Sequence, residues 1–433
     1  MLIQGSRWLI ARIRAQPVLV GRAVLVLAIK LGAAALSYLM FIAIARALDA
    51  EGFGVFGVAF STATLGAVVI GFGQKAYILR RAPVLLAAHK PAAVRRLNLR
   101  ALLVFAILTL AMAGLGLLAN PFGAVAMPPS LWLWVTGAAG LFALADYQQS
   151  AARSAGVFFR ALTPRDIIWR IIAIAFAFAG AGASWMSVEN LFAALVLSLA
   201  ALLLLQLALL PPLQPGLGTL EPEDRNRVWL AASSGLWGVA IVQALIPNLS
   251  VLASGLILDV DTAGRLFAAL RTAMLLQIFQ MAANLVIAPS ISRLKAENDL
   301  ARLQKESRLI TLLAAFPLLA LLLLFALAGG WVMSIFGAEH AGSGPILLIL
   351  ALGFSVNALC GPTAQMMESL HDERMLFVIL AASALLSTLL IFALGDAFGV
   401  IGVAVAVSLH SVFWNLAAYF RIWRRHGIRV GLI

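Results

Sequence analysis

Three basic side chains, Lys30, Lys75 and Arg271, stand inside or at the edge of long apolar runs, where a charge calls for a physical reason. A cation near a bilayer centre costs on the order of 2.5–3.5 kcal/mol on insertion scales, so such residues are paired or functional. Lys30 shares a helical stripe with Ala34, Ser37 and Phe41, a mostly small face along which another helix or a ligand can approach. In the next apolar run Thr64, Val68, Gly71 and Lys75 recur at helical spacing, with Ser61 a turn earlier. Gln277, Gln280 and Asn284 form a further polar stripe after Arg271. Such side chains suit a hydrated, positively charged lining that receives an anion. Plainer roles exist for each: Lys75 lies close enough to the interface to snorkel, and Arg271 can pair with Asp259 or Asp261. Asp146 and Glu368, near the ends of apolar runs, are candidate proton or cation sites, or ordinary partners of Arg153 and Arg374.

Catalysis is not indicated. The five histidines (His89, His340, His371, His410 and His426) are scattered, and no HExxH, GxSxG or phosphate-cradling GKS/T pattern occurs. The single cysteine, Cys360, sits in an apolar run, which leaves no disulfide framework and no thiolate metal site. No cofactor is expected.

The elements that must position these groups are membrane spans. Of 433 residues 63% are hydrophobic and only 11% charged, and the mean hydropathy is +1.02, against roughly 25% charged in soluble domains. Apolar runs of about twenty residues, enough to cross a bilayer, recur at about 21–45, 54–78, 101–119, 131–150, 167–184, 190–210, 229–258, 266–288, 309–333, 345–369, 376–395 and 400–421. The chain reads as an all-α polytopic protein of twelve helices. The turns after odd-numbered spans are short and nearly free of Lys and Arg. The alternate loops carry Arg80, Arg81, Lys90, Arg95, Arg96 and Arg100, then Arg153, Arg160 and Arg165, then Arg293, Lys295, Arg302, Lys305 and Arg308. By the positive-inside rule those loops are cytoplasmic, together with Arg7, Arg12 and Arg14 at one end and Arg421, Arg424, Arg425 and Arg429 at the other. The net charge of +13 is thereby a juxtamembrane belt facing anionic lipid, and nucleic acid is not implied.

The longest polar linker, within 211–228, carries Pro211, Pro212, Pro215 and the acidic residues Glu221, Glu223 and Asp224. It divides the spans into an N-terminal six-helix lobe (1–210) and a C-terminal one (229–433). At an offset of 210 positions, Leu48-Asp49 falls on Leu258-Asp259, Gly54 on Gly264, Ala59 on Ala269 and Gln74 on Asn284. Six spans per half make the repeat parallel, its axis along the membrane normal. Pro247, Pro317 and Pro362 lie inside spans and can bend them.

The stretch 45–56, containing Arg46, Leu48, Glu51, Gly52, Phe53, Gly54 and Phe56, resembles the first hairpin of the polysaccharide and O-antigen flippases. These are a family of the multidrug/oligosaccharidyl-lipid/polysaccharide exporter (MOP) superfamily. Asp49 departs from the glycine usual after the leucine, and 259–267 resembles the second-lobe hairpin. Arg46, Gly52, Gly54 and Phe56 are architectural in this motif and do not read cargo. The resemblance implies two six-helix lobes around a central cavity that opens alternately to each side. It further implies outward movement of a lipid-linked oligosaccharide across the plasma (bacterial inner) membrane, with membrane lipids and polysaccharide polymerase or export proteins as partners. Lys30, Lys75 and Arg271 would meet the cargo's diphosphate. A multidrug exporter of the same superfamily and a non-transporting scaffold for glycan synthesis are the competing readings.

Overall fold

The computed structural model describes residues 17–119, 127–218, 221–297 and 299–432, and it is helical throughout with no strand among them. Arg7, Arg12, Arg14 and most of the turn after the third span lie outside the described residues. The first lobe contains α1 (Pro17–Ala47), α2 (Ala50–Gly71), α3 (Gln74–Ala87), α4 (Pro91–Ala119), α5 (Pro129–Ser154) and α6 (Phe158–Thr163). A π turn (Pro164–Ile168) then leads into α7 (Trp169–Gly180), and α8 (Val188–Leu209) completes the lobe. The second contains α9 (Asn226–Ile257), α10 (Val260–Ala273), α11 (Gln277–Ala296), α12 (Leu300–Ser334), α13 (Gly344–Cys360), α14 (Thr363–Ser369) and α15 (Glu373–His426).

Nine of these segments are long and apolar enough to cross a membrane by composition alone. Twelve crossings emerge once three local features are read. α5 is diluted by Asp146, Tyr147, Gln148 and Gln149, the fifth crossing is broken by the π turn, and the 54-residue α15 is two helices joined at Gly399 (φ 61°, ψ −147°). Likewise α10 and α11 make one crossing interrupted by a 3₁₀ turn, and Gly361-Pro362 separates α13 from α14 within another. The protein is therefore a multi-pass membrane protein of two six-span lobes.

Its two ends close differently. At the end carrying the 48–50 turn, here the hairpin end, Asp49 caps α2 by accepting from the Gly52 amide (2.8 Å), and Asp259 caps α10 by accepting from Thr262 (2.6 Å). The identical device recurs at the offset of 210. α2 and α10 then cross with their backbones almost touching. A Cβ on Gly264 would sit 2.9 Å from the Gly54 Cα, and one on Gly54 would run into the Val260 carbonyl. Only glycine permits that approach. Around the crossing Phe53, Phe56, Phe267 and Phe336 are fully buried, and Arg46 Nε donates to the Ile335 carbonyl (2.8 Å), tying one lobe to the other.

At the opposite, basic end the second span stops earlier than its hydrophobicity predicts. Phe72 (φ 41°) and Gly73 (φ 69°) turn left-handed, and a side chain on Gly73 would strike the Ser233 carbonyl of α9. Lys75 consequently belongs to the separate helix α3, and the predicted stripe from Thr64 to Lys75 does not exist. The basic loop is also more than a lipid belt. Asp224 of the interlobe linker accepts from Tyr77 (2.6 Å) and from both Nε and Nη2 of Arg81 (2.8 and 3.0 Å), Arg100 donates to the Asp224 carbonyl, and Lys90 pairs with Glu221 (2.8 Å). Burial beside that carboxylate pushes the Tyr77 phenol above its ordinary range. The acidic linker thus neutralises part of the charge counted above.

Candidate functional site

The polar centre of the first lobe is assembled from three spans. α1 is apolar enough to carry one cation, and Lys30 lies 17 residues, about 25 Å, from its hairpin-end terminus. Pro164 lacks the amide that would continue α6, and the π turn that follows points two consecutive side chains to different partners. Asp166 accepts from Lys30 Nζ (2.7 Å), while Arg165 pairs with Asp146 of α5. Gln149 (3.3 Å) and Arg170 (3.4 Å) complete the surroundings of Asp166, and Lys75 reaches Asp146 (3.1 Å). Four cations therefore meet two carboxylates, and the network is two charges positive.

Several expectations need correction here. Lys30 is ion-paired, not free among small residues, and its partner is a residue that the sequence reading assigned to a loop. The i,i+4 spacing of Asp166 and Arg170 beside Pro164 was the available signal. Asp146 pairs with Arg165 and Lys75 instead of Arg153, so both carboxylates serve the same network. Glu368 is exposed, makes no ion pair among the described residues, and lies in electrostatic reach of Arg80 rather than bound to Arg374. The network extends to neither Ser37, which is half-buried, nor Ser61, which is fully buried with its hydroxyl unpartnered; Thr64 donates to the Phe60 carbonyl of its own helix.

Arg271 occupies a second site. It is eleven residues into its span, about 17 Å from the hairpin-end terminus and so near mid-membrane. Neither Asp259 nor Asp261 pairs with it: the first caps α10 and the second bonds Arg265 (2.8 Å). Its guanidinium lies over Phe267 (4.6 Å), Phe41 (5.2 Å) and Phe60 (5.5 Å), rings from both lobes, and its Nε has no partner. Aromatic faces compensate a cation by about 2 kcal/mol when it is desolvated, far less than a carboxylate would. Of the neighbouring stripe, Gln280 donates to Asn357 (2.9 Å), Gln277 is half-buried, and the Asn284 side-chain oxygen is buried and unpartnered. A cleft of about 540 Å³ opens at the hairpin end between Asp49, Gly52, Ser184 and Ser187, away from both cationic sites.

Chemically the two cationic sites suit contact with an anion, and no group of metal-ligating side chains lies among the described residues. Comparison with known proteins finds the same fold in solved membrane transporters. The structure resembles an inward-facing multidrug resistance MATE transporter of the MOP superfamily (TM-score 0.73, 14% identity, 90% of this chain and 93% of that one). It also resembles the lipid II flippase MurJ in an inward closed conformation (0.69, 14%, 92% and 87%). A third likeness is to a MOP transporter from Pyrococcus furiosus described as having a binding pocket of reverse polarity (0.64, 13%, 93% and 94%). The chain shares its fold with these transporters. No protein-family model matches the chain. A putative O-antigen transporter of Salmonella typhi is 25% identical over 87 residues, 19% of this chain, and the chain spans only 20% of that relative's length.

Proposed function

We propose that this protein is an alternating-access flippase that moves a polyprenyl-diphosphate-linked oligosaccharide from the cytoplasmic to the outer leaflet of the plasma membrane. The observation that carries the reading is Arg271, a mid-membrane cation with no carboxylate partner among the described residues. A diphosphate is the counter-ion that such a site lacks, and the Lys30 network, also net positive, lies nearer the basic end where the cargo would enter. That end is then cytoplasmic, a placement that the distribution of Lys and Arg supports. The sugar head, hydroxylated and anionic, cannot cross hydrocarbon unaided, and an inside-negative potential favours its outward passage by roughly 2.3 kcal/mol per charge per 100 mV. The fold shared with MurJ and the short similarity to an O-antigen transporter support this reading.

The second reading, export of cationic drugs, draws on the MATE likeness, but the unpaired positive charge opposes it: like charges repel most strongly where the dielectric is low. Liposomes that contain the protein, a fluorescent polyprenyl-diphosphate glycan on one leaflet and ethidium in the same vesicles separate the two. Glycan movement without ethidium movement is expected. Protein-dependent ethidium movement alone would establish the exporter reading, and movement of neither under an imposed potential or ion gradient would favour a scaffold.

A further inference from the structure

Asp166 and Lys30 form an ion pair whose two members differ in accessibility. The Asp166 side chain is 7% exposed, whereas that of Lys30 is 31% exposed, so the lysine is the more accessible partner of the pair. If Lys30 turns away, Asp166 is not stranded: Gln149 and Arg170 remain within 3.3 and 3.4 Å. The losing partner of a buried pair normally suffers the full cost of an uncompensated charge, and here two standing donors reduce it. The carboxylate also rides on a π turn, a distortion that relaxes by local rewinding and recurs at functional positions in helices.

We infer that Asp166 is an internal stand-in for the cargo's phosphate, holding Lys30 while the site is empty and competing with the diphosphate for it when cargo arrives. This rests on the anionic-cargo reading above and adds to it the residue that sets affinity and release. The carboxylate weakens binding by making the cargo displace an existing partner, and it speeds departure by reclaiming Lys30 as the cargo moves toward Arg271. Without it Lys30 and Arg170 form an unopposed positive patch, from which a dianion leaves slowly. Asp166 is therefore a positioning residue that touches the cargo's ligand and not the cargo.

The test uses the full chain in nanodiscs with fluorescent farnesyl diphosphate as the probe, inorganic pyrophosphate as competitor, and the glycan-flipping liposomes for rate. Asp166→Asn is expected to bind the probe about tenfold more tightly and to flip glycan more slowly, opposite changes that a merely structural role does not produce. Asp166→Ser should repeat this if the Asn variant does not fold. In a Lys30→Ala background the same substitution should bring no gain, since the contested cation is gone. If the wild type binds and Asp166→Asn is no tighter, or if the gain persists without Lys30, the competition does not occur and the inference falls while the flippase reading stands. Failure of the wild type to bind the probe at all would overturn that reading and this inference with it.

Discussion

Arg271 is held by rings rather than by an acid, and that choice has consequences for stability as well as for transport. A buried cation with an orphaned Nε destabilises the fold it sits in, because hydration is lost and only aromatic faces and a weak hydrogen bond from Nη1 to the Met274 sulfur (3.9 Å) replace it. Replacing even a paired set of buried charges by well-packed apolar side chains is often neutral or stabilising, by about 1–4 kcal/mol. Arg271→Met is therefore expected to melt at the same or a higher temperature than the wild type and to move glycan at least about tenfold more slowly. Melting and flipping measured on the same preparation check this. A variant that melts lower yet transports normally would make Arg271 a structural residue. His340 is also buried at the hairpin end, edge-on to Phe53 (5.4 Å), with neither ring nitrogen hydrogen-bonded and the Glu339 carboxylate 3.9 Å from Nε2.

At the scale of elements, the crossing of α2 over α10 is the joint on which the lobes meet. Its closeness depends on Gly54 and Gly264, which occupy equivalent places in the two halves. A branched side chain at position 54 meets the Val260 backbone, which cannot swing aside as a flexible side chain does, so the helices must separate. Overpacking of this kind costs typically 1–3 kcal/mol. Gly54→Val is expected to lower the melting temperature and to reduce flipping about tenfold or more by holding the hairpin end apart. Gly114→Ala, where an added methyl meets nothing within 4 Å, is the matched control and should change neither. Equal effects of the two substitutions would show that the crossing is not a tight joint.

For the molecule as a whole, the hairpin end is closed by Phe53, Phe56, Phe267 and Phe336 and by the Arg46 to Ile335 hydrogen bond, and the alternating access proposed above requires that closure to open. Cysteines at Arg46 and Ile335, in a Cys360→Ser background, joined by a short cleavable bifunctional reagent, should stop glycan movement, and cleavage of the reagent should restore it. Undiminished flipping with the link intact would mean that the cargo does not leave through this end. At the other end the acidic linker is tied to the first lobe through Tyr77, Arg81 and Arg100. The turn between α14 and α15 is tied down separately: hydrogen bonds from Arg421, with Arg425 beside it, hold Asp372 below the usual carboxylate range.

Local chemistry made much of this legible from sequence. Apolar runs matched to bilayer thickness marked most spans, because every backbone polar group in lipid must be satisfied within its own helix. The hairpin residues from Arg46 to Phe56 marked the fold through their resemblance to a known motif, while the capping by Asp49 and the approach of Gly54 to Val260 came only with the tertiary structure. Lys30 and Arg271 stood out as charges in hydrocarbon. What the sequence could not contain was the pairing. Lys30 and Asp166 are 136 positions apart and Lys75 and Asp146 are 71 apart, and only packing of α1 against the π turn, and of α3 against α5, brings them within 4 Å. The left-handed break at Phe72-Gly73 was equally hidden. Hydrophobicity runs on through it, and the turn is made by the close approach of α9, a contact between lobes that no local pattern encodes.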